Sequence, residues 1–247
     1  MMKTALITGA SSGIGEAIAR LFAKRGYTLI LCGRNEERLT ELMMDLEEDT
    51  TCFKLVFDVR NKEQVFSQLK SIKTIDILIN NAGNAHGLSN IQQGDIDDWD
   101  AMIDINVKGL LYVTKAILPT MLNNDSGHII NIGSLAAKDV YANGTVYCAS
   151  KKAVDAITEG MRKDLNDTRI KVGAIHPGLV ETNFSMVRFK GDQERSSQVY
   201  KGYDPLQAID IAEIVDFVVS RPDHVNITDL LVLPSAQASS TQLKKDL

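Results

Sequence analysis

A single α/β domain, in which helices cover both faces of a doubly wound parallel sheet, is the fold that this sequence predicts. Strand and helix patterns alternate from one end of the chain to the other. Several of the strand patterns are continuous apolar runs, which are typical of parallel strands covered on both faces. Alternation of this kind implies right-handed crossovers between parallel strands. The sequence of 247 residues contains no evident linker, low-complexity stretch or internal repeat, so we expect one domain spanning residues 1–247.

Each predicted element rests on a local pattern of apolar residues. The predicted strands occupy residues 4–8, 28–32, 52–57, 75–79, 128–132, 171–175 and 229–233. The predicted helices, with apolar residues at helical spacing, occupy residues 14–24, 36–46, 62–71, 99–121, 146–165 and 209–220. Ligands of doubly wound sheets bind beyond the carboxyl ends of the strands, so we expect one shared crevice there.

The composition argues against several classes of function. A net charge of −5 gives no basic patch for nucleic acid. No apolar run approaches the ~20 residues that span a bilayer, and no signal peptide precedes the first strand, so we expect no membrane association. The three widely spaced cysteines indicate reduced thiols in a cytoplasmic protein and not a disulfide framework. The four histidines are scattered without metal-ligand spacing, so we expect no metal.

The first predicted strand leads into a glycine-rich turn, which reads Thr8-Gly9-Ala10-Ser11-Ser12-Gly13-Ile14-Gly15. A helical pattern follows directly, and a dinucleotide fingerprint requires this context of strand, turn and helix. Gly9 permits the tight turn, Gly13 lets the backbone approach a pyrophosphate, and Gly15 lets the helix pack closely on the strand. Backbone N–H groups at the helix N-terminus then face the phosphate charge. The turn therefore predicts a dinucleotide site of the Rossmann type.

Arg34 follows the second predicted strand, roughly 20 positions beyond the last glycine of the turn. An NAD site usually places an acid here to bind the ribose 2′-hydroxyl, whereas an arginine accommodates a 2′-phosphate. Glu36 and Glu37 come slightly too late and start the next helix, where acids suit the macrodipole. The position favours NADP over NAD, although Asn35 stands where a second basic residue could have followed.

Tyr147 and Lys151 lie four positions apart in a predicted helix and therefore share one face of it. Free tyrosine loses its proton near pH ~10, and a neighbouring positive charge lowers that pKa. The pair can therefore act as an acid/base near neutral pH. Ser134 lies thirteen positions upstream of Tyr147, and its presence together with the glycine-rich turn argues against a chance pair on a helix.

Taken together, these residues resemble the short-chain dehydrogenase/reductase family in its classical, single-domain form. The resemblance covers nearly the whole chain, and the combination of motifs in this order is highly specific for the family. Its motifs are Thr8 to Gly15, Asp58-Val59, Asn80-Asn81-Ala82-Gly83, Asn106, Ser134, Tyr147, Lys151 and Pro177-Gly178 with Thr182.

The resemblance implies a catalytic set of four residues. Tyr147 would be the general acid/base on the substrate oxygen, and Ser134 would hydrogen-bond that oxygen and orient it. Lys151 would bind the nicotinamide ribose and lower the pKa of Tyr147, while Asn106 would hold a water in a proton relay from Lys151 to solvent. The cofactor supplies the hydride chemistry, and the protein orients it and manages the proton. No histidine base is implied beside Ser134, so Ser134 is not a hydrolase-type nucleophile.

The resemblance also implies a cofactor site that extends beyond the glycine-rich turn. Asp58 would hydrogen-bond the adenine amine with Val59 beside the ring, and Asn81 would line the ribose region and brace the central strands. The nicotinamide would be surrounded by Pro177, Gly178, Val180 and Thr182, with the carboxamide near Thr182. The other predicted cofactor-binding residues are Gly9, Ser11, Ser12, Gly13, Ile14, Gly15, Arg34, Asn35, Tyr147 and Lys151.

Within the family, three further segments resemble the NADP-dependent serine 3-dehydrogenases, also described as L-allo-threonine and 3-hydroxy acid dehydrogenases. These segments are residues 127–134, 187–192 and 224–227. The implied reaction moves a hydride between NADP and the 3-hydroxyl or 3-oxo group of a small acid such as serine, L-allo-threonine or 3-hydroxypropionate. One alternative is a reductase of the family that acts on 3-oxoacyl carriers, sugars or general carbonyls. A second is a nucleotide-sensing protein without catalysis, against which the presence of Ser134, Tyr147 and Lys151 argues.

Residues 184–204 break the alternation, because they show neither a clear strand nor a long amphipathic helix. Irregular segments of this length are often lids or binding loops. A site that selects a small hydroxy acid needs a cation for the carboxylate, and the planar fork of arginine can bind it with two parallel hydrogen bonds. Arg188 is the first candidate for this substrate contact and Lys190 the second, with solvated lid charges as the alternative.

The two longest predicted helices, residues 99–121 and 146–165, carry more apolar positions than one sheet face needs. Members of the family commonly pair these helices between subunits. We therefore expect a homotetramer with closed two-fold symmetry.

Overall fold

The computed structural model describes residues 3–246, which form a parallel sheet between two layers of helices. The strands of the sheet are β1 (Thr4–Thr8), β2 (Thr28–Gly33), β3 (Cys52–Val56), β4 (Ile77–Asn80), β5 (Gly127–Ile132), β6 (Ile170–Pro177) and β9 (Asp229–Val232). Their order is β3-β2-β1-β4-β5-β6-β9, and all neighbours are parallel. The strand order reverses between β1 and β4, and such a reversal opens a crevice at the carboxyl ends of the strands. The predicted fold class is confirmed.

Helices connect the strands across both faces of the sheet. They are α1 (Gly13–Lys24), α2 (Glu36–Leu46), α3 (Lys62–Leu69), α4 (Ile96–Ile103), α5 (Leu110–Asn123), α6 (Thr145–Asp164), α7 (Phe184–Arg188), α8 (Gln193–Val199) and α9 (Ala208–Val219). Across residues 3–246, none of the helices combines the length and the apolar character needed to cross a membrane.

The core is divided into two apolar layers by the sheet. On one face, Phe22 of α1 and Val215 of α9 are fully buried against the strands. On the other face, Val65 of α3 and Ile117 of α5 are equally buried. Each buried side chain of this size stabilises the fold by about 1.5–3 kcal/mol relative to exposure, so the layers hold the sheet from both sides.

A chain of buried polar side chains crosses the carboxyl ends of the two central strands. Asn80 on β4 donates from Nδ2 to Thr114 Oγ1 on α5 and to Asn131 Oδ1 on β5, both at 2.9 Å. Asn131 in turn donates to Thr158 Oγ1 on α6 at 2.8 Å. Buried polar groups are costly unless they are hydrogen-bonded, so these pairs fix how the two strands and the two helices meet.

The predicted helix over residues 99–121 is not one continuous α-helix. A π-helical segment, Asp104–Gly109, separates α4 from α5. A π-helical turn contains one residue more than an α-helical turn. The sequence pattern does not reveal this residue, because the apolar periodicity continues across the segment and the segment contains no proline. A Cβ on Gly109 would lie 2.8 Å from Val59 Cγ2, so the helix approaches the loop after β3 this closely because residue 109 is glycine. Segments of this kind frequently occur at functional sites, and this one contains Asn106.

Residues 184–204 contain the two short helices α7 and α8, of five and seven residues. Both are too short to give an amphipathic pattern, which explains why the sequence read as irregular. The strands β7 (Val180–Glu181) and β8 (Leu206–Gln207) pair with each other on either side of the segment. The pairing of β7 with β8 therefore fixes both ends of the segment.

His128 lies at the amino end of β5 and is buried, at 4% exposure. Neither ring nitrogen has a hydrogen-bond partner within residues 3–246. Burial lowers the pKa of His128 to about 3, and Lys171 and Lys3 act in the same direction. The residue occupies the end of the strand that faces away from the crevice.

Candidate active site

A cleft of about 930 Å³ lies along the carboxyl ends of the parallel strands. Most of the predicted site residues line it. Those that do are Gly9, Ser11, Ser12, Gly13, Ile14, Arg34, Asn35, Asp58, Val59, Asn81, Ser134, Tyr147, Lys151, Pro177, Gly178, Val180, Thr182 and Arg188. Gly15 and Asn106 lie behind the lining and support it. The motifs that are spread along the chain are therefore brought into one crevice.

The glycine-rich turn depends on close contacts that larger residues would prevent. Gly9 and Gly13 have φ values of +65° and +58°, which glycine adopts without strain. A Cβ on Gly15 would lie 2.4 Å from the carbonyl oxygen of Gly9. Asn81 Nδ2 donates to the carbonyl oxygens of Thr8 and Gly9 at 2.9 and 3.2 Å. The turn is thus held by β4 and packed directly on the start of α1.

Arg34, at the end of β2, lies beside an acidic residue at the adenine end of the predicted cofactor site. Its Nη1 is 3.7 Å from a carboxylate oxygen of Asp58, which also accepts a 2.7 Å hydrogen bond from Arg60. Partial burial raises the pKa of Asp58, but the hydrogen bonds from Arg60 outweigh it and hold that pKa below its usual value. Asn35 uses its side-chain oxygen to cap α2 by accepting from the N–H of Arg38. Arg38, which the sequence did not single out, lines the same end of the cleft.

Tyr147 is buried at 8% exposure beside Ser134 in the middle of the cleft. Burial raises the pKa of the Tyr147 phenol, and Tyr141 acts in the same direction, while a hydrogen bond with Ser134 and the charge of Arg188 oppose them. The lowering of this pKa by Lys151 stays a prediction. The Lys151 side chain turns to β5 and donates from Nζ to the carbonyl oxygen of Ile132 at 2.9 Å.

Lys151 is itself buried, at 6% exposure, and this changes its acidity. Burial lowers the pKa of the Lys151 ammonium to about 8. The π-helical segment holds Asn106 near it, since a Cβ on Gly83 would lie 3.0 Å from Asn106 Oδ1 and 3.3 Å from Lys151 Nζ. Asn106 accepts from Asn84 N and donates to Asn84 O, both at 2.8 Å. Its amide also donates to Ser150 Oγ at 2.9 Å, which leaves only a lone pair of Oδ1 for a further partner.

Arg188 on α7 brings a positive charge to the substrate end of the cleft. Its Nε donates to the carbonyl oxygen of Gly87 at 3.3 Å. Its guanidinium carbon lies 5.6 Å from the ring centroids of both Tyr141 and Tyr147. Nη2 is buried and has no hydrogen-bond partner among residues 3–246. An unpaired buried donor of this kind is costly, and it is suited to a ligand acceptor.

Lys190, the second candidate for a substrate contact, lies outside the cleft lining. Its Nζ is 3.0 Å from Asp98 and 3.5 Å from Asp95, so it pairs with acids at the start of α4. Lys190 and Gly191 have φ values of +54° and +91°, so the chain makes a left-handed turn here. The ion pairs of Lys190 outside the cleft favour Arg188 over Lys190 as the ligand of a substrate carboxylate.

Several lining residues carry no motif that the sequence could reveal. Tyr141, Phe184 and Tyr200 surround the space next to Tyr147. Gln237 comes from the last segment of the chain, and its Oε1 accepts from Leu179 N at 2.9 Å beside the predicted nicotinamide region. These residues line the cleft because of tertiary packing, so no sequence motif predicts that they belong to the site.

The fold and the cleft together define a class of protein. A glycine-rich turn at the switch point of a parallel sheet, followed by a buried tyrosine and lysine at the same strand ends, is the arrangement of a dinucleotide-dependent oxidoreductase.

Comparisons with known proteins narrow this class to one family. A family model described as short chain dehydrogenase matches residues 3–193, and the chain belongs to that family. Sulfoacetaldehyde reductase 2 of Chromohalobacter salexigens is 43% identical over 245 residues, covering 97% of each chain. NADP-dependent 3-hydroxy acid dehydrogenase of Escherichia coli (strain K12) is 43% identical over 238 residues, covering 94% of this chain and 95% of the relative. A closed form of serine dehydrogenase complexed with NADP+ superposes with a TM-score of 0.92 at 41% identity, covering 99% of this chain and 100% of the other.

Proposed function

We propose that the protein is an NADP-dependent dehydrogenase that acts on the 3-hydroxyl or 3-oxo group of a small acid. Substrates of the serine, L-allo-threonine and 3-hydroxypropionate type fit this proposal. The observation that carries it is the guanidinium of Arg188, whose carbon lies 5.6 Å from the ring centroid of Tyr147 and whose Nη2 has no hydrogen-bond partner among residues 3–246. A carboxylate on that nitrogen would hold the β-carbon oxygen of a three-carbon acid near Tyr147 and Ser134. The similarity to a 3-hydroxy acid dehydrogenase and to a serine dehydrogenase supports the same substrate class.

The chain contributes proton transfer and orientation to this reaction, while a bound nicotinamide supplies or accepts the hydride. In the direction of reduction, the protonated phenol of Tyr147 donates its proton to the carbonyl oxygen as the carbon gains the hydride. Ser134 hydrogen-bonds the same oxygen and orients it. Lys151, whose pKa is lowered to about 8 by burial, can return a proton to the phenol near neutral pH. The lone pair of Asn106 Oδ1 can hold a water that links Lys151 to solvent.

The rest of the cleft would hold the cofactor in this proposal. Backbone N–H groups of the turn from Gly9 to Gly15 would bind its pyrophosphate at the N-terminus of α1. Arg34 and Arg38 would bind the 2′-phosphate, and Asp58 with Val59 would bind the adenine. Pro177, Gly178, Val180 and Thr182 would hold the nicotinamide.

A second substrate class is favoured by the relative named sulfoacetaldehyde reductase 2. A sulfonate, like a carboxylate, offers several oxygens to the fork of an arginine, so the same Arg188 serves either group. Initial rates of NADPH oxidation with malonate semialdehyde and with sulfoacetaldehyde separate the two classes. A larger kcat/KM for the carboxylate supports the leading proposal, and a larger value for the sulfonate replaces it. Turnover only with uncharged carbonyls or 3-oxoacyl carriers would contradict both.

Residues 184–204 act as a substrate lid in this proposal. Lys190 joins the segment to Asp95 and Asp98. Arg188 joins it to Gly87, because Arg188 Nε donates to the carbonyl oxygen of Gly87 and the Arg188 carbonyl oxygen accepts from Gly87 N–H. These contacts close the segment over Tyr147.

We also propose a homotetramer in the cytoplasm. Leu111 and Leu122 on α5 are exposed at 40% and 43%, which leaves an apolar face that a second copy can cover with closed two-fold symmetry. A mass by light scattering close to the 27.2 kDa of one chain would exclude the tetramer.

The free thiols of Cys32, Cys52 and Cys148 support the cytoplasmic location, because they suit a reducing compartment.

Tyr147→Phe should lower kcat by about 10²–10⁴-fold, because the variant keeps the ring and loses the proton donor. NADP affinity, measured by fluorescence titration, should stay nearly unchanged. Tyr27→Phe is the matched control, since Tyr27 packs on Phe22 away from the cleft and should keep full turnover. A Tyr147→Phe enzyme with more than about a tenth of the wild-type kcat would remove Tyr147 from its role.

Arg34→Asp should weaken NADP binding and shift preference toward NAD, because the new carboxylate repels the 2′-phosphate and can accept from a 2′-hydroxyl. Arg34→Gln removes the charge without adding repulsion, so its NADP affinity should lie between those of the wild type and the aspartate variant. Kd values for both cofactors are the measurement. Unchanged NADP affinity in Arg34→Asp would mean that Arg38 or another group holds the phosphate.

Arg188→Met should lower kcat/KM for a 3-hydroxy acid by about ten- to a hundredfold, since hydrogen bonds to charged groups contribute about 1.5–3 kcal/mol. The loss on an uncharged alcohol should be much smaller. Arg195→Met is the matched control in the same segment, because Arg195 stacks on Phe189 and does not line the cleft. Equal losses on acid and alcohol would show that Arg188 shapes the lid and does not recognise the anion.

A further inference from the structure

His176 lies directly behind Ser134, on the side away from the cleft. It belongs to β6, and its side chain is completely buried, at 0% exposure. Its Nδ1 is 3.3 Å from both the backbone nitrogen and the backbone oxygen of Ser134. A Cβ on Gly133 would lie 2.2 Å from the same Nδ1, so the ring can come this close only because residue 133 is glycine.

The other nitrogen of the ring faces a cluster of charged side chains. His176 Nε2 lies 3.5 Å from oxygens of Asp155 on α6 and Asp229 on β9, and it makes no hydrogen bond in the described part of the chain. Lys138 bridges the two carboxylates, with its Nζ 2.9 Å from Asp155 and in contact with Asp229. Two acids and a histidine could ligate a metal ion, but the ammonium already supplies the cation between these carboxylates.

The carboxylates decide which ring nitrogen carries the proton. Asp155 and Asp229 present their carboxylates to Lys138, and a carboxylate can only accept hydrogen bonds, so Nε2 is favourable there only as N–H. A neutral imidazole protonated at Nε2 has a lone pair at Nδ1. That lone pair can accept the N–H of Ser134 and cannot donate to its carbonyl.

We propose that His176 is a positioning residue for Ser134, held in the Nε2–H tautomer by Asp155 and Asp229 so that Nδ1 accepts the backbone N–H of Ser134. The inference rests on the proposed role of Ser134 in orienting the substrate oxygen. Ser134 Oγ also accepts from Ala136 N at 3.1 Å, and its proximity to Tyr147 acts to lower the pKa of the phenol. Fixing the backbone of Ser134 therefore fixes the oxygen that meets both substrate and Tyr147.

Protonation of His176 would reverse the direction of this contact. The groups that face the ring are Lys138, Asp155, Asp229 and the main chain of Ser134. Burial lowers the pKa of His176 and Lys138 lowers it further, while the two acids oppose them. As pH falls through this lowered pKa, Nδ1 gains a proton and loses its bond to Ser134 N–H. Catalysis should then fail at acid pH. The charges of Lys138, Asp155 and Asp229 set the pH at which activity is lost.

The first test compares two substitutions at His176 with one at the other buried histidine. His176→Leu removes the acceptor and should lower kcat about tenfold, with the Kd for NADP unchanged. His176→Asn carries Oδ1 near the position of Nδ1 and should recover kcat to within about threefold of the wild type. His128→Leu, at the opposite end of the sheet, should keep the wild-type kcat. Equal kcat values for His176→Leu and His176→Asn would overturn the proposal, as would an equal loss in His128→Leu.

The second test keeps His176 in place and is therefore independent of how His176→Leu folds. Lys138→Met leaves the ring facing two unbalanced acids, which raises its pKa. The acid limb of kcat against pH should move to higher pH by about one unit. An unmoved acid limb would contradict the proposal.

A spectroscopic measurement separates this inference from the proposed function. In protein labelled with ¹⁵N-histidine, His176 should give a protonated Nε2 and an unprotonated Nδ1 at neutral pH, and the opposite tautomer would overturn the assignment. Ser134→Ala with full turnover would instead refute the proposed role of Ser134, and the His176 spectrum would still report the tautomer.

Discussion

The buried hydrogen bonds from Thr114 through Asn80 and Asn131 to Thr158 set the geometry on which the site depends. Apolar packing presses helices onto a sheet without fixing their rotation, because it is non-directional. Hydrogen bonds between buried side chains are directional and are costly to break, so they select one arrangement. Thr158 lies two helical turns from Lys151 on α6, and its bond to Asn131 therefore fixes the rotation of the helix that carries Tyr147 and Lys151.

Burial then gives the reactive groups their character. Tyr147 and Lys151 are both nearly excluded from water, and burial acts on their pKa values in opposite directions, raising that of the phenol and lowering that of the ammonium. The two pKa values therefore move apart, so the Tyr147 phenol holds its proton more firmly and the Lys151 ammonium releases its proton more readily. Arg188 adds the only positive charge that the structure brings against the Tyr147 ring in the described residues, and its field acts against the effect of burial on the phenol. The pKa values of Tyr147 and Lys151 are thus set by exclusion of water more than by neighbouring charges.

Much of this arrangement could be predicted from the sequence, because it rests on short local patterns. The apolar runs predict the strands to within a few residues, and the turn from Gly9 to Gly15 predicts the position of the crevice. What the sequence does not reveal depends on side chains that meet only after folding. Gln237 comes from the C-terminal segment, and Lys190 pairs with Asp95 and Asp98 outside the cleft. The sequence does not single out His176, because Asp155 and Asp229 lie far from it along the chain.

The π-helical segment Asp104–Gly109 also sets a limit on how this part of the sequence can vary in length. Each residue of an α-helix advances the chain by about 100°, and the segment absorbs one residue of surplus between α4 and α5. Removing a single residue there would rotate one helix relative to the other by that angle. Either Asn106 would then leave Lys151, or Val113 and Ile117 would turn out of the core. Homologous chains can therefore lengthen or shorten in their loops, whereas this stretch of helix must keep its number of residues.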